Sequence, residues 1–575
     1  MNLTQGQLTV RGAVVGCIGC AVITAASAYT ALKMGALPWP IIFAAIISLF
    51  FLKALGNTNL HEANVTHTIM SAGSMVAGGL AFTIPAIWIV TGSNPVDWPA
   101  MLAVAIAGVL LGLICMAYLR RHFIEDAALE FPIGQAAAET LKAGNAGGRI
   151  GAKLFGTMGL AGLYTFLRDG LGLLPAIFTG GITLPGISFG LYNSPMMLAM
   201  GIMVGTASVA VWFAGAVFAN FGIVLGGTAA GLWDTACAQG ITQSLGMGVM
   251  MGCGFGVIFK DVLPKGVRLL RGSRNRQHAA TQAGAMSGEG DNAHAGAGTR
   301  DGRPRRRIGA GVLALLGSIA ALALCMLAGV GPVPSIVVVA FSWVTCAMAA
   351  QSVGQTGIDP MEIFGLIVLL AIAAFSDTPL VQLFFVAAVI AIACGLAGDV
   401  MNDFKAGHIL GTDPKAQWLG QAIGGVLGAV VASAVMMVIA AAYGPEAFGA
   451  DGTFIATQAS VVATMVTGIP NVAAFAIGLA AGVALYFAKA PVMMLGLGIY
   501  LPFYMSATAA LGMVAKLVYD AVGRRRRAEL DEEQAARAAR RHDESGTVMA
   551  SGLLGGESIV GVLVALASVA AGIAL

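Results

Sequence analysis

Charge is what this sequence has least of. Only 10% of its 575 residues are Asp, Glu, Lys or Arg, against about 25% in ordinary soluble domains, which excludes a chain that keeps most of its surface in water. No lysine stands in a G-x-x-x-x-G-K-[ST] phosphate loop, so ATP hydrolysis by this chain is excluded. The eight cysteines, Cys17, Cys20, Cys115, Cys237, Cys253, Cys325, Cys346 and Cys394, lack the paired spacing of a disulfide framework or a zinc site. Cys17 and Cys20 stand close together, but inside the first apolar segment, where they read as packing. His61-Glu62 is followed by His67 six residues after the first histidine rather than four, which excludes the zinc protease motif. No nucleophile and base stand at workable spacing, so the chain is read as no enzyme, with no cofactor and no metal site. The net charge is only +3 and the basic residues gather in two segments, so no face follows a nucleic-acid backbone.

What is abundant is apolar. Hydrophobic residues make up 58%, in runs of 18 or more, each long enough to cross a hydrocarbon core about 30 Å thick as a helix. Strand-like alternation is missing, and lipid admits only helices or closed barrels. The expected fold is therefore all-α, a polytopic transmembrane bundle of about 14–16 helices. Spans are expected near 10–32, 38–54, 64–90, 98–118, 150–190 (two short crossings), 194–240 (two), 242–262, 309–330, 333–352, 361–375, 378–398, 416–442, 454–468, 471–488, 491–519 and 551–573. The 79 glycines suit close helix packing in lipid.

Composition divides the chain into a membrane half over 1–263, a flexible basic linker over 264–308, a second membrane half over 309–520, a basic loop over 521–550 with a short charged surface helix at 530–543, and a final helix over 551–575. Arg303 and Arg305 to Arg307 in the linker, and Arg524 to Arg527 in the loop, place both in the cytoplasm by the positive-inside rule. Arg120 and Arg121 fit a cytoplasmic N-terminus. That topology needs an even number of crossings before the linker, whereas nine are counted, so one is re-entrant, missed or miscounted. The location expected is a bacterial cytoplasmic (inner) membrane, and the partners are the lipid bilayer and no nucleic acid, with a homodimer left open. Phe131-Pro132-Ile133 with Ala137 and Leu141 echoes Leu501-Pro502-Phe503 with Ala507 and Leu511, as if two repeat-like halves carried matching interrupted or re-entrant segments.

Polar groups within apolar spans mark candidate pathways. Asn64, His67, Ser71 and Ser74 share one helical face at 100° per residue, and His61, Glu62 and His67 are candidate proton carriers. Asp126, Glu130, Gln135 and Glu139 fall four or five residues apart around Pro132, read as an interrupted, site-lining segment. Asp399, Asn402 and Asp403 stand at i, i+3 and i+4, presenting two acids and an amide. Arg168 beside Asp169 suits a carboxylate, and Tyr504 with Ser506 follows Pro502 in the second interrupted segment.

Four motifs carry a resemblance: NLHEANVTHTIMSAGSMVAGGLAFTIPAIWI, FPIGQAAAETLKAG, AGDVMNDFKAGHILGTDPKAQWLGQAIGG and GIYLPFYMSATAALG. In this order they resemble prokaryotic members of the oligopeptide transporter (OPT) family, which includes the plant yellow-stripe metal-chelate transporters. The resemblance implies about 16 crossings and a secondary carrier that imports small oligopeptides, usually with protons. Uptake of peptide-like metal chelates of the siderophore or nicotianamine type is the alternative, and a passive channel a weaker one. Asn64, Ser71, Ser74, Pro132, Glu139, Asp399, Asp403 and Pro502 match motif positions. Glu139, Asp399 or Asp403 is expected to take the coupling proton.

Overall fold

A computed structural model describes residues 7–34, 40–145, 150–178, 182, 184–257, 259–260, 304–356, 359, 361–398, 400–449, 452–467, 469–527 and 530–571. Nearly all of the 264–308 linker and Asp399 lie outside the described residues, as does the side chain of Glu139. The helices before the linker are α1 Val10–Met34, α2 Pro40–Ala54, α3 Leu60–Ala81, α4 Pro85–Thr91, α5 Trp98–Arg120, α6 Pro132–Asn145, α7 Ile150–Thr165, α8 Pro195–Met203, α9 Thr206–Val217 and α10 Thr235–Val257. Those after it are α11 Pro304–Leu327, α12 Pro332–Thr356, α13 Met361–Phe375, α14 Leu380–Gly398, α15 Val400–Leu410, α16 Pro414–Tyr443, α17 Thr457–Thr467, α18 Val472–Phe487, α19 Val492–Tyr500, α20 Phe503–Arg527 and α21 Glu532–Ala571. Among the described residues nine helical stretches are long and apolar enough to cross a membrane, and four shorter apolar helices accompany them. The chain is an all-α, multi-pass membrane bundle.

Three segments differ from the expected spans. The run 64–90 is two helices, because a turn at Phe82 to Ile84 separates α3 from Pro85 at the head of α4. The second crossing expected within 150–190 is instead a short antiparallel hairpin, β1 Ile177–Phe178 against β2 Leu191–Tyr192, in keeping with the Gly and Pro residues of its apex. Residues 530–543 are no separate surface helix, since α21 runs unbroken for 40 residues through Ser545, Gly546, Ser551 and Gly552, within and beyond the expected loop. In a bundle such small residues are contact points rather than breaks. A Cβ on Gly552 would stand 2.6 Å from the Leu154 carbonyl oxygen of α7.

The helices on either side of the linker interleave. α16 packs on α3, α18 on α10, α19 on α9 and α20 on α8, so the halves share one core. Gly248 and Gly252 of α10 meet Gly478 and Gly482 of α18; a Cβ on Gly252 would stand 2.4 Å from the carbonyl oxygen of Leu479. That contact is backbone to backbone and admits no larger residue.

Two helices lie at the centre. α14 is buried from Leu383 through Gly398, as the wholly apolar sequence of that stretch requires. α3 is buried from Glu62 through Ala81, yet it carries Asn64, Thr66, His67, Thr68, Ser71 and Ser74 along that length. A buried helix of this composition must find polar partners on its neighbours.

Candidate functional site

The partners of α3 come from α15 and α16. Asp403 on α15 is fully buried. Its Oδ2 accepts hydrogen bonds from Ser71 Oγ at 2.6 Å and from Gln421 Nε2 of α16 at 2.9 Å. Its Oδ1 stands 3.2 Å from Nε2 of His67, which is itself fully buried. Gln417, one turn before Gln421, donates from Nε2 to the Asp403 carbonyl oxygen at 2.7 Å. One ionisable pair is thus held among hydroxyl and amide groups. A buried carboxylate and imidazole at this distance can share a proton, and either charged form alone would be costly without those dipoles. Above the pair, Asn64 Nδ2 and His61 Nδ1 both approach Thr412 Oγ1, at 3.3 Å each.

The head of α1 is anchored to α3 beside this centre. Arg11 forks onto Glu62 with Nε to Oε1 at 2.7 Å and a second nitrogen to Oε2 at 2.6 Å. Thr9 and Thr58 hydroxyls donate to the same carboxylate at 2.6 and 2.8 Å. Such a bidentate pair fixes orientation as well as charge. It ties the start of α1 to the first turn of α3.

α15 also organises the first interrupted segment. After α5 the chain continues as a wide π-helical turn through Asp126 and then leaves helical geometry, with positive φ at Ala128 and Phe131. The helical spacing expected across Asp126, Glu130, Gln135 and Glu139 therefore does not extend over 127–131. Pro132 heads α6 instead of interrupting it, a position where its missing N–H costs nothing. Asn402 Oδ1 accepts from the Gly134 backbone N–H at 3.1 Å, satisfying one of the free donors of the first turn. Lys405 Nζ donates to the Leu129 carbonyl at 2.7 Å. Glu130, Pro132 and Gln135 are exposed, and Gln135 Nε2 donates to the Glu130 carbonyl at 2.7 Å. The structure thus joins Asn64, His67, Ser71, Asn402 and Asp403 in one polar region, places Ser74 one turn further along α3, and leaves Glu130, Pro132 and Gln135 at its rim.

A second polar centre gathers around Arg168, in the π-helical turn that closes α7. Arg168 forks onto Asp169 at 2.6 Å for both contacts and reaches Glu557 Oε1 of the final helix at 2.9 Å. It also donates to the Asn193 carbonyl oxygen. Glu557 is fully buried. Its Oε2 accepts from Ser194 Oγ and from the Met196 backbone N–H, both at 2.8 Å, so it stands at the positive end of α8 as well as opposite Arg168.

Nearby, α19 ends at Tyr500, Leu501 turns extended, and α20 begins after Pro502, giving the second break that the sequence suggested. Pro502 lines a cavity of about 120 Å³ together with Asn220, Gln239, Gln243, Ile455 and Tyr500. Tyr504 packs on Tyr192 with ring centroids 5.7 Å apart, and Ser506 Oγ accepts from Trp212 Nε1 at 3.0 Å. Arg168, Pro502 and Tyr504 therefore belong to this second region and not to the His67–Asp403 pair.

Sequence reasoning passed over Gln417, Gln421, Lys33 and Glu557. The two glutamines stand one turn apart in the third motif, a spacing that marks one polar face. Glu557 is an acid in an otherwise apolar final span, the same signal that drew attention to Asp169. Among the described residues no group of three or more His, Cys, Asp and Glu side chains is arranged to hold a metal ion.

Comparison with known proteins agrees with these motifs. A protein of Haemophilus influenzae named "Putative oligopeptide transporter" is 36% identical over 146 residues, a stretch covering 25% of this chain and 23% of that relative. The matched part is thus under a quarter of the relative's length. The family described as OPT oligopeptide transporter protein matches residues 7–568, both polar centres and all but the last three residues of the final helix included. The chain belongs to the OPT oligopeptide transporter family.

Proposed function

We infer that the protein is a secondary active importer of small oligopeptides, coupled to protons at the His67–Asp403 pair. The observation that carries this reading is the full burial of that pair among Ser71, Gln417 and Gln421. An ionisable residue at membrane depth is costly to retain and marks an ion path. The pair lies between two helices of opposite halves, α3 and α15, which is where a carrier that alternates between faces would place a coupling group. The interleaved packing directs the alternation: movement of α15 against α3 would break the Ser71 and Asp403 contact and open the pair to one side. The family description and the relative's name support the peptide class of substrate. Cytoplasmic placement of the N-terminus, the linker and Arg524 to Arg527, in a bacterial inner membrane, accompanies this reading.

The test is uptake into proteoliposomes under an inward proton gradient, offered labelled di- to pentapeptides alongside iron held by a peptide-like chelator. Wild-type protein is expected to accumulate peptide above equilibrium. Asp403→Asn is expected to lose gradient-driven accumulation while keeping peptide counterflow. Accumulation of chelate alone moves the substrate to metal complexes, and purely downhill flux of peptide refutes the carrier. Undiminished accumulation by Asp403→Asn removes that residue as the coupler.

A further inference from the structure

Lys33 stands in the last turn of α1 and is almost entirely buried. It lies 22 residues beyond Arg11, so the two are about 33 Å apart along the helix, toward opposite boundaries of the membrane. A lysine near a helix end ordinarily extends its amino group to water. Lys33 instead turns inward. Its Nζ donates to Tyr192 Oη at 2.8 Å and stands 5.4, 5.5 and 5.9 Å from the ring centroids of Tyr29, Tyr192 and Phe454.

No carboxylate lies within ion-pair distance of Lys33 among the described residues; Asp169, which Arg168 holds together with Glu557, acts on Lys33 only from beyond that distance. An ammonium group has three donors, and a buried cation calls for an anion as well as rings. The hydroxyl groups of Tyr29, Thr165 and Thr457 are also buried without a hydrogen-bond partner among the described residues. Thr457 follows Ala456, whose backbone N–H bonds to the carbonyl oxygen of Leu32 at 2.9 Å.

This cage adjoins the cavity at Pro502. Phe454 covers Lys33, and the next residue, Ile455, lines the cavity. Tyr192, which holds the Lys33 amino group, packs on Tyr504, two residues past the cavity-lining Pro502. The cavity wall presents Ser188, Asn220, Gln239, Thr242 and Gln243 but no acid or base. Such neutral groups match the amides of a peptide main chain and leave its charged carboxyl end unanswered.

We propose that Lys33 is the residue that receives the C-terminal carboxylate of a transported peptide, with Tyr192 positioning its amino group; this rests on the oligopeptide reading above. A cavity of about 120 Å³ is smaller than ligand sites of roughly 300 Å³ or more. Binding therefore requires the Phe454–Ile455 wall to move, which exposes Lys33 as it enlarges the site.

The test compares uptake of trialanine with that of its C-terminal amide in proteoliposomes of wild-type, Lys33→Met, Lys33→Arg and Tyr192→Phe proteins. Wild type is expected to prefer the free acid by at least tenfold in KM. Lys33→Met is expected to raise the KM of the acid to that of the amide, Lys33→Arg to keep the preference, and Tyr192→Phe to keep part of it. If Lys33→Met does not fold, an unaltered preference in Tyr192→Phe together with its loss in Lys33→Arg overturns the assignment. Wild type that accumulates acid and amide equally, or Lys33→Met that still prefers the acid, overturns it alone. Wild type that accumulates neither peptide overturns the peptide reading, and this assignment with it.

Discussion

Removing the Glu557 carboxylate tests whether the second polar centre holds the final helix in place. Glu557→Ala breaks a buried ion pair and frees the Ser194 hydroxyl and the Met196 N–H. Breaking a buried pair by deleting one partner costs about 3–5 kcal/mol. Here the lower figure applies, because Arg168 keeps both contacts to Asp169. A loss of about 3 kcal/mol lowers the folding equilibrium constant roughly 100-fold. Glu557→Gln keeps an acceptor for Ser194 and Met196 but turns a donor toward Arg168, and should lose about 1–2 kcal/mol. Arg168→Met leaves the buried Glu557 and the half-buried Asp169 without their shared cation, so it should be the least stable of the three. The assay is equilibrium unfolding of purified protein in mixed micelles with increasing denaturing detergent, read by tryptophan fluorescence. The reasoning is refuted if Glu557→Ala unfolds at the wild-type midpoint, or if Glu557→Ala proves less stable than Arg168→Met.

Gly252→Val should force α10 from α18, since its Cβ meets the Leu479 carbonyl and the Gly482 Cα rather than a movable side chain; a loss of about 1–3 kcal/mol should appear as a lower temperature of half-unfolding in size-exclusion thermostability. Asn402→Ala strands the Gly134 N–H and should cost about 1 kcal/mol. The same thermostability assay should show it, with backbone amide exchange accelerating at the head of α6.

Much of the bundle was legible because each apolar run of about 20 residues has one stable form in lipid. The same rule misread 177–192, where apolar residues lie between turn-forming glycines and the chain satisfies its backbone as a hairpin. It also ended the charged helix at 543 and opened the final span at 551, whereas α21 is continuous, because the sequence does not say whether a small residue faces solvent or a neighbouring helix. Of the candidate site, the stripe Asn64, His67 and Ser71 followed from helical period alone. That Asp403 would meet it, 332 residues from Ser71, is a matter of tertiary packing, which no local spacing encodes. Adjacent residues even part company: Asn402 turns to α6 and Asp403 to α3. Lys33 went unmarked because a lysine closing a first span ordinarily flanks the membrane.

The unbroken course of α21 has a mechanical meaning. At 1.5 Å per residue its 40 residues make a rod of about 60 Å, twice the thickness of a hydrocarbon core. Near one end His542 stacks on Tyr519 with ring centroids 3.8 Å apart; fifteen residues on, Glu557 faces Arg168. With no break in the helix between them, the two contacts, about 22 Å apart along its axis, ride on the same rod. A shift or twist of the rod at Tyr519 is carried along the same helix that presents Glu557 to Arg168 and the head of α8. The remote aromatic contact and the charge in the middle of the protein are therefore fixed to one and the same rod.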